Sequence, residues 1–176
     1  MKKRVFVGIK ISPETQGNIL SWIGSLEYKL PVRWLELSGL HITLIPPWEE
    51  ENIRKVTREL SQIKGEIEPF RLSLNRITYG PNIEKPRLIW VWGKANSEMK
   101  ELRKLLQETL SQKKSNRVFF PHITIARFSL SKNSPFPEIK IDERIHWEEK
   151  INRVSLFESH RLPSGAKYKE LKKISL

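Results

Sequence analysis

Apolar and polar residues alternate from the first positions of the chain. "RVFVGIKI" (4–11) puts Val5, Val7, Ile9 and Ile11 on one face, the period of a half-buried strand. Ser12-Pro13-Glu14 then supplies a helix cap, a first-turn proline and an early acid. Ile19, Leu20, Ile23 and Leu26 recur at helical spacing, which predicts a helix ending near Tyr28 to Leu30, ahead of Pro31. "VRWLEL" (32–37) reads as extended, Ser38-Gly39 as a turn, and "LHITLI" (40–45) as a strand stopped by Pro46-Pro47. A helix is expected over 49–63, with acids in its first turn.

The pattern then changes. Phe70, Leu72 and Leu74 alternate in "FRLSLNRITYG" (70–80), and "RLIWVWG" (87–93) forms a second strand after a turn holding Pro81, Asn82 and Pro86. Met99, Leu102, Leu105, Leu106 and Leu110 line one side of a helix over 97–112. "FPHITIARFSL" (120–130) is a strand, and 132–140 is a loop with two prolines. "EKINRVSLFESHRL" (149–162) and "KYKELKKISL" (167–176) read as two closing strands around "PSG" (163–165). No linker or low-complexity segment divides the chain. Strand, helix, strand, helix is followed by strands, helix, strand, a loose internal repeat. Hairpin-like strands without a βαβ rhythm predict an α+β fold. The expected architecture is two similar α/β lobes related by a pseudo-twofold axis. Their antiparallel sheets face a central cleft, helices lie outside, and residues 1–176 form a single bilobal domain.

Composition narrows the chemistry. The chain has 176 residues and no cysteine, so disulfides, thiolate zinc sites and cysteine nucleophiles are excluded. Its net charge of +12 favours a polyanionic partner, with nucleic acid the common case. The basic start "MKKRVFVGIKI" imitates a signal peptide, but the apolar stretch from Val5 to Ile9 is shorter than an h-region. The expectation is a cytoplasmic protein with no membrane contact.

One tripeptide changes the picture. His-Ile-Thr occurs in "LHITLIPPW" (40–48) and again in "FFPHITIAR" (119–127), in a chain with four histidines. On a strand, residues two apart share a face. His41 and Thr43 therefore point one way, as do His122 and Thr124, while Ile42, Leu44, Ile123 and Ile125 point into a core. If the two polar faces meet, two imidazoles and two hydroxyls surround one point. One neutral imidazole can take a proton from an attacking group while an imidazolium gives one to the leaving oxygen. Threonine hydroxyls can hold the non-bridging oxygens of a phosphoryl group. A metal site fails on ligands, because no carboxylate accompanies either motif. No metal and no cofactor is expected. His146 and His160 stand alone and read as surface residues.

Paired HxTx motifs in two α/β halves resemble the 2H phosphoesterase superfamily. Within it, "RVFVGIKIS", "VRWLELSGLHITL", "FFPHITIARF" and "VSLFESHRLPSGAKYKEL" resemble the RNA 2′,3′-cyclic phosphodiesterases, also called 2′-5′ RNA ligases. That resemblance implies metal-independent hydrolysis of RNA 2′,3′-cyclic phosphate ends to 2′-phosphates, with His122 as base and His41 as acid. It also implies reverse 2′-5′ ligation. Arg127 is implied as a phosphate contact, although strict alternation puts it on the face opposite His122. "IPPW" stands where many members have a Phe-Leu-Gly turn, and Trp48 there either packs the lobe or stacks on a base. Lys113, Lys114 and Arg117 either guide an RNA backbone or form a solvated helix end. The implied partners are RNA, tRNA fragments among them, or small cyclic nucleotides, bound by a monomer. Two alternatives stand beside this: a phosphodiesterase for small cyclic nucleotides or 2′-5′ oligoadenylates, and a non-catalytic RNA-binding module.

Overall fold

The computed structural model describes residues 2–27, 29–82, 85–113, 118–128, 140–163 and 165–176. The first strand, β1 (Lys3–Lys10), leads into helix α1 (Pro13–Gly24). Ser12 caps it, its side chain accepting from the Thr15 amide. The helix ends earlier than its apolar spacing predicts. The Ser25 amide bonds back to Ser21 and Trp22, and its hydroxyl donates to the Trp22 carbonyl at 2.8 Å, so the turn is closed there. Leu26 still packs on the core, beyond the helix.

Strands β2 (Val32–Trp34) and β3 (His41–Glu50) follow. The expected stop at Pro46-Pro47 does not occur. Both prolines sit inside β3, where the pairing with β1 skips from Val5 opposite Trp48 to Val7 opposite Ile45. An irregular, one-sided stretch of strand does not need the missing N–H groups. Glu49 and Glu50 consequently belong to β3, and α2 (Ile53–Ser61) has no acid in its first turn. Asn52 caps α2 instead, accepting from the Lys55 amide. The Glu50 carboxylate accepts from the Asn52 and Glu51 amides and from the Trp48 indole. These bonds, the Asn52 amide foremost, lower its pKa. Trp48 itself packs against the core.

The remainder runs β4 (Phe70–Gly80), β5 (Leu88–Trp92), α3 (Ser97–Thr109), β6 (His122–Phe128), β7 (Asp142–Ile151), β8 (Arg153–Leu162) and β9 (Gly165–Ser175). The run 149–162 is therefore not one strand: Glu149 to Ile151 end β7, and Asn152 separates them from β8. Most of the proline loop at 132–140, and Ser164 of the closing turn, lie outside the described residues.

The strands form one nine-stranded sheet in the order β7-β4-β5-β6-β3-β1-β8-β9, with β2 beside β6. These strands pair antiparallel throughout. β7 and β8 lie towards opposite ends of this order yet are joined through Asn152 alone, so the sheet curls strongly. Its centre is the junction of β3 and β6, where Ile42 pairs with Ile123. Each His-x-Thr strand thus lies on one side of the midline.

The helices cover the face opposite the two motifs. α1 packs on β7, and its Trp22 indole donates to Glu143 at 2.7 Å. The buried Glu149 of β7 takes both the amide and the hydroxyl of Ser12. α3 packs on β3, and Arg103 donates to the Leu44 carbonyl at 3.3 Å. α1 and α3 therefore each rest on the half of the sheet to which the strand before them does not belong. Ile42, Leu44, Ile123, Ile125, Met99, Leu102 and Ile19 share one core cluster. Among the described residues, no helix is long and apolar enough to cross a membrane.

Candidate active site

His41 begins β3 and His122 begins β6. Both strands bury Ile42 and Leu44, or Ile123 and Ile125, and leave the His and Thr between them half-buried on the cleft side. His41, Thr43, His122, Thr124 and Arg127 line one cavity of about 360 Å³. All five residues singled out from sequence therefore meet at a single place. The described lining contains no carboxylate.

The two imidazoles are held alike. Nδ1 of His41 lies 2.7 Å from the Gly39 carbonyl oxygen, and Nδ1 of His122 lies 2.8 Å from that of Phe120. A carbonyl only accepts, so each Nδ1 carries the proton, and Nε2 is the nitrogen left for chemistry. The spacing is the same in both: the histidine bonds to the carbonyl two residues before it.

Their surroundings differ. His41 packs 4.7 Å from the Phe6 ring and meets the edge of Tyr168 at 4.8 Å. Gly8, opposite Thr43 in β1, keeps this corner open, since a Cβ there would stand 2.7 Å from the Ile42 carbonyl. His122 leans on the Trp90 ring at 4.7 Å. The Trp90 and Trp92 indoles both donate to the buried Thr78 hydroxyl, at 2.8 and 3.1 Å. Gly80 makes the space for Trp90, because a Cβ at that position would lie 2.5 Å from the ring.

Both histidines hold pKa values below the ordinary 6.5. Burial is the main cause for His41; its bond to Gly39 opposes the shift, and His122 and Arg127 add to it by charge repulsion. Burial also lowers His122, against the raising effect of the Phe120 bond. The site thus favours neutral imidazoles until an anion enters.

Arg127 reaches the cavity by a break in alternation. Trp90 pairs with Thr124 and Ile89 pairs with Ala126, so Ile125 is an extra residue with no partner in β5. Such a bulge flips the parity of the strand beyond it. Ile125 and Ala126 are both buried and Arg127 turns out to the cleft.

Of the other basic candidates, Lys113 is exposed and lines neither described cavity beside the histidines. Lys114 and Arg117 lie outside the described residues. His146 is exposed, and His160 approaches Glu158 at 3.7 Å on the surface. Sequence reasoning missed Phe6, Tyr168, Trp90 and Thr78, as well as the cavity's other arginines, Arg4 and Arg161. Phe6 and Gly8 were legible only as the second face of an alternating strand. Nothing in the sequence marks Thr78 as an acceptor for two indoles.

One curled antiparallel sheet with a His-x-Thr pair from each half defines a two-histidine α+β protein. The family model described as the 2′-5′ RNA ligase superfamily matches residues 17–162, and the chain belongs to that superfamily. It is 29% identical over 182 residues to a Bacillus subtilis protein named RNA 2′,3′-cyclic phosphodiesterase, covering 100% of this chain and 98% of the relative. A protein of the same name from Archaeoglobus fulgidus is 26% identical over 175 residues, covering 96% and 98%. Among solved structures, a Thermus thermophilus protein aligns with a TM-score of 0.79 at 22% identity, covering 98% of this chain and 97% of that one. Escherichia coli LigT complexed with 3′-AMP aligns at 0.76 and 20% identity, covering 100% and 99%. These two likenesses are of fold.

Proposed function

We propose that this protein hydrolyses RNA 2′,3′-cyclic phosphate ends to 2′-phosphates without a metal ion, and that the same site can join RNA ends through a 2′-5′ bond. The observation that carries the reading is the matched pair of imidazoles. Each is fixed through Nδ1 to a carbonyl two residues upstream, and both face one cavity that also holds Arg127. The family supports the same chemistry, since its full-length relatives carry the phosphodiesterase name.

In this scheme Nε2 of His122 takes a proton from water as the water oxygen bonds to phosphorus. The P–O3′ bond breaks, and Nε2–H of His41 gives its proton to the departing 3′ oxygen. The product carries a 2′-phosphate and a free 3′-hydroxyl. In ligation an RNA 5′-hydroxyl attacks the cyclic phosphate in place of water, 3′-O leaves, and a 2′-5′ diester remains. Thr43 and Thr124 donate to the non-bridging oxygens, and Arg127 balances their charge. The cyclic phosphate is itself an anion, so its arrival raises the depressed histidine pKa values and loads the acid.

Residues 1–176 act as one bilobal domain, each half supplying one His-x-Thr pair, and the shared core beneath both motifs supports this. The protein works as a cytoplasmic monomer on RNA ends that include tRNA fragments. The test is incubation with an RNA ending in 2′,3′-cyclic phosphate, in EDTA, followed by identification of the phosphate isomer. His41→Ala and His122→Ala should each lower turnover roughly 10²–10⁴-fold, the usual worth of general acid–base catalysis. Thr43→Val or Thr124→Val should lower it on the order of 10-fold. A 3′-phosphate product, activity that depends on a divalent ion, or near-normal rates in either histidine variant would overturn the scheme.

A further inference from the structure

We propose that Arg33 forms a second phosphate site beside the reacting centre, one that takes the phosphodiester on the 5′ side of the terminal nucleoside. The proposal rests on the phosphodiesterase reading above and specifies its substrate as an oligonucleotide end rather than a mononucleotide.

Arg33 and Arg127 are directly opposite each other in the antiparallel pair of β2 and β6. Residues so paired have their Cα atoms about 4.5–5.5 Å apart and project from the same face. Two guanidinium groups in that relation repel, and like charges directly opposite are destabilising in a sheet. Neither arginine makes an ion pair among the described residues. A cross-strand arginine pair with no carboxylate to neutralise it is a place prepared for an anion.

The position of Arg33 is also built. Its guanidinium lies over Gly165, where a Cβ would stand 2.5 Å from Nη1 and 2.7 Å from Nη2. Gly165 stands in the closing turn at a φ of 123° and presents no side chain to the head group. Arg127 lines both the catalytic cavity and a neighbouring groove of about 700 Å³, and His41 borders both as well. Arg33 lines the second groove and not the first. Lys10 and Lys167 share it, and its acids are Glu36 and Glu170. Glu170 already takes the Ser155 hydroxyl. The groove is therefore a basic continuation of the active site that departs past Arg127, and Arg33 is its cation directly opposite Arg127.

A nucleoside 2′,3′-cyclic phosphate has one phosphate and would leave Arg33 unused. A dinucleotide ending in the same cyclic phosphate has a second. The experiment compares kcat/KM for these two substrates in the parent and in Arg33→Gln. The parent should favour the dinucleotide, and Arg33→Gln should cut that preference by on the order of 10-fold, the worth of one charge-assisted contact. Added salt should erode the preference in the parent more than in the variant. Arg33→Lys keeps the charge without the fork and should restore part of it. The melting midpoint of ligand-free Arg33→Gln should match or exceed the parent's, since a repulsive pair is relieved. The assignment is overturned if the preference survives Arg33→Gln, if both substrates lose equally, or if the parent shows no preference. Failure of the parent to hydrolyse either substrate would instead overturn the phosphodiesterase reading, and this assignment with it.

Discussion

Leu44 and Ile125 occupy the same place in two different strands: each lies three residues after its histidine, and each is the surplus residue of a bulge. In β3, Gly8 pairs with Thr43 and Val7 with Ile45, so Leu44 has no partner. The burial patterns of 41–46 and 122–127 agree position by position. The equivalence extends to the residue each bulge redirects, which is Pro46 in one half and Arg127 in the other. The duplicated geometry therefore carries a cation on one side only. Arg127→Ala should lower kcat/KM about 10²-fold, in the range of a lost oxyanion donor. Arg127→Lys should recover only part, because a point charge cannot form a forked contact. Steady-state kinetics on a cyclic-phosphate RNA end would measure both; equal rates for parent and Arg127→Ala would remove Arg127 from the site.

The pH profile follows from the depressed histidines. One must be neutral and the other protonated, so kcat/KM should be bell-shaped. Lowering the base's pKa extends activity to more acid pH. Lowering the acid's pKa ends activity sooner as pH rises. Both limbs move in the same direction, and the maximum should lie below ~6.5. The apparent values belong to the coupled pair. The same shifts make stability pH-dependent. The unfolded chain binds more protons, so the melting midpoint should fall as pH drops from ~6.5 through the folded-state values. A maximum above about pH 7.5, a full unit over the ordinary histidine value, would contradict the burial of either ring.

Thr78 holds the indole of Trp90, the ring on which His122 leans. Thr78→Val keeps the shape but leaves two indole N–H groups without their acceptor, a cost of about 1–3 kcal/mol in stability. With Trp90 loosened, His122 should regain water and its pKa should rise towards the ordinary value. The acidic limb of the rate profile should then move to higher pH. Gly80→Ala, which pushes directly on Trp90, should shift the limb the same way. A stability loss with an unmoved limb would make Thr78 structural alone.

Gly8 should be intolerant of any side chain. Its Cβ would meet the Ile42 carbonyl, which is backbone, with the Phe6 ring 3.3 Å away. Gly8→Ala should destabilise by ~1–3 kcal/mol, as overpacking does, and should lower turnover by displacing the wall behind His41. Thermal melts and rates on the same preparation would separate the two effects.

Much of this was legible in the chain because alternation and burial coincide. "RVFVGIKI", "FRLSLNRITYG" and the two His-x-Thr segments each have one apolar face, and all became strands. What escaped lies where a local rule yields to its neighbours. Pro46-Pro47 end a strand only if both edges are paired, and here they are not. Asp142 to Ile151 carries little apolar signal because β7 is an edge strand with one side to water. Arg127 has the wrong parity in the sequence, and only the bulge at Ile125 corrects it. The rings that enclose the imidazoles come from β1, β5 and β9, and no local spacing joins those segments.

The exchange of helices across the midline has a mechanical consequence. α1 is clasped to β7 through Trp22 and Ser12, and α3 to β3 through Arg103. β8, which completes the first half of the sheet by pairing with β1, arrives only after the whole second half has been made. A chain severed between α2 and β4 would yield two pieces, neither with a complete wall. The two would have to knit together before either motif took its shape. The strands that carry the two imidazoles meet through the pair of Ile42 with Ile123, so the spacing between the histidines depends on the elements that cross this junction as well as on the junction itself.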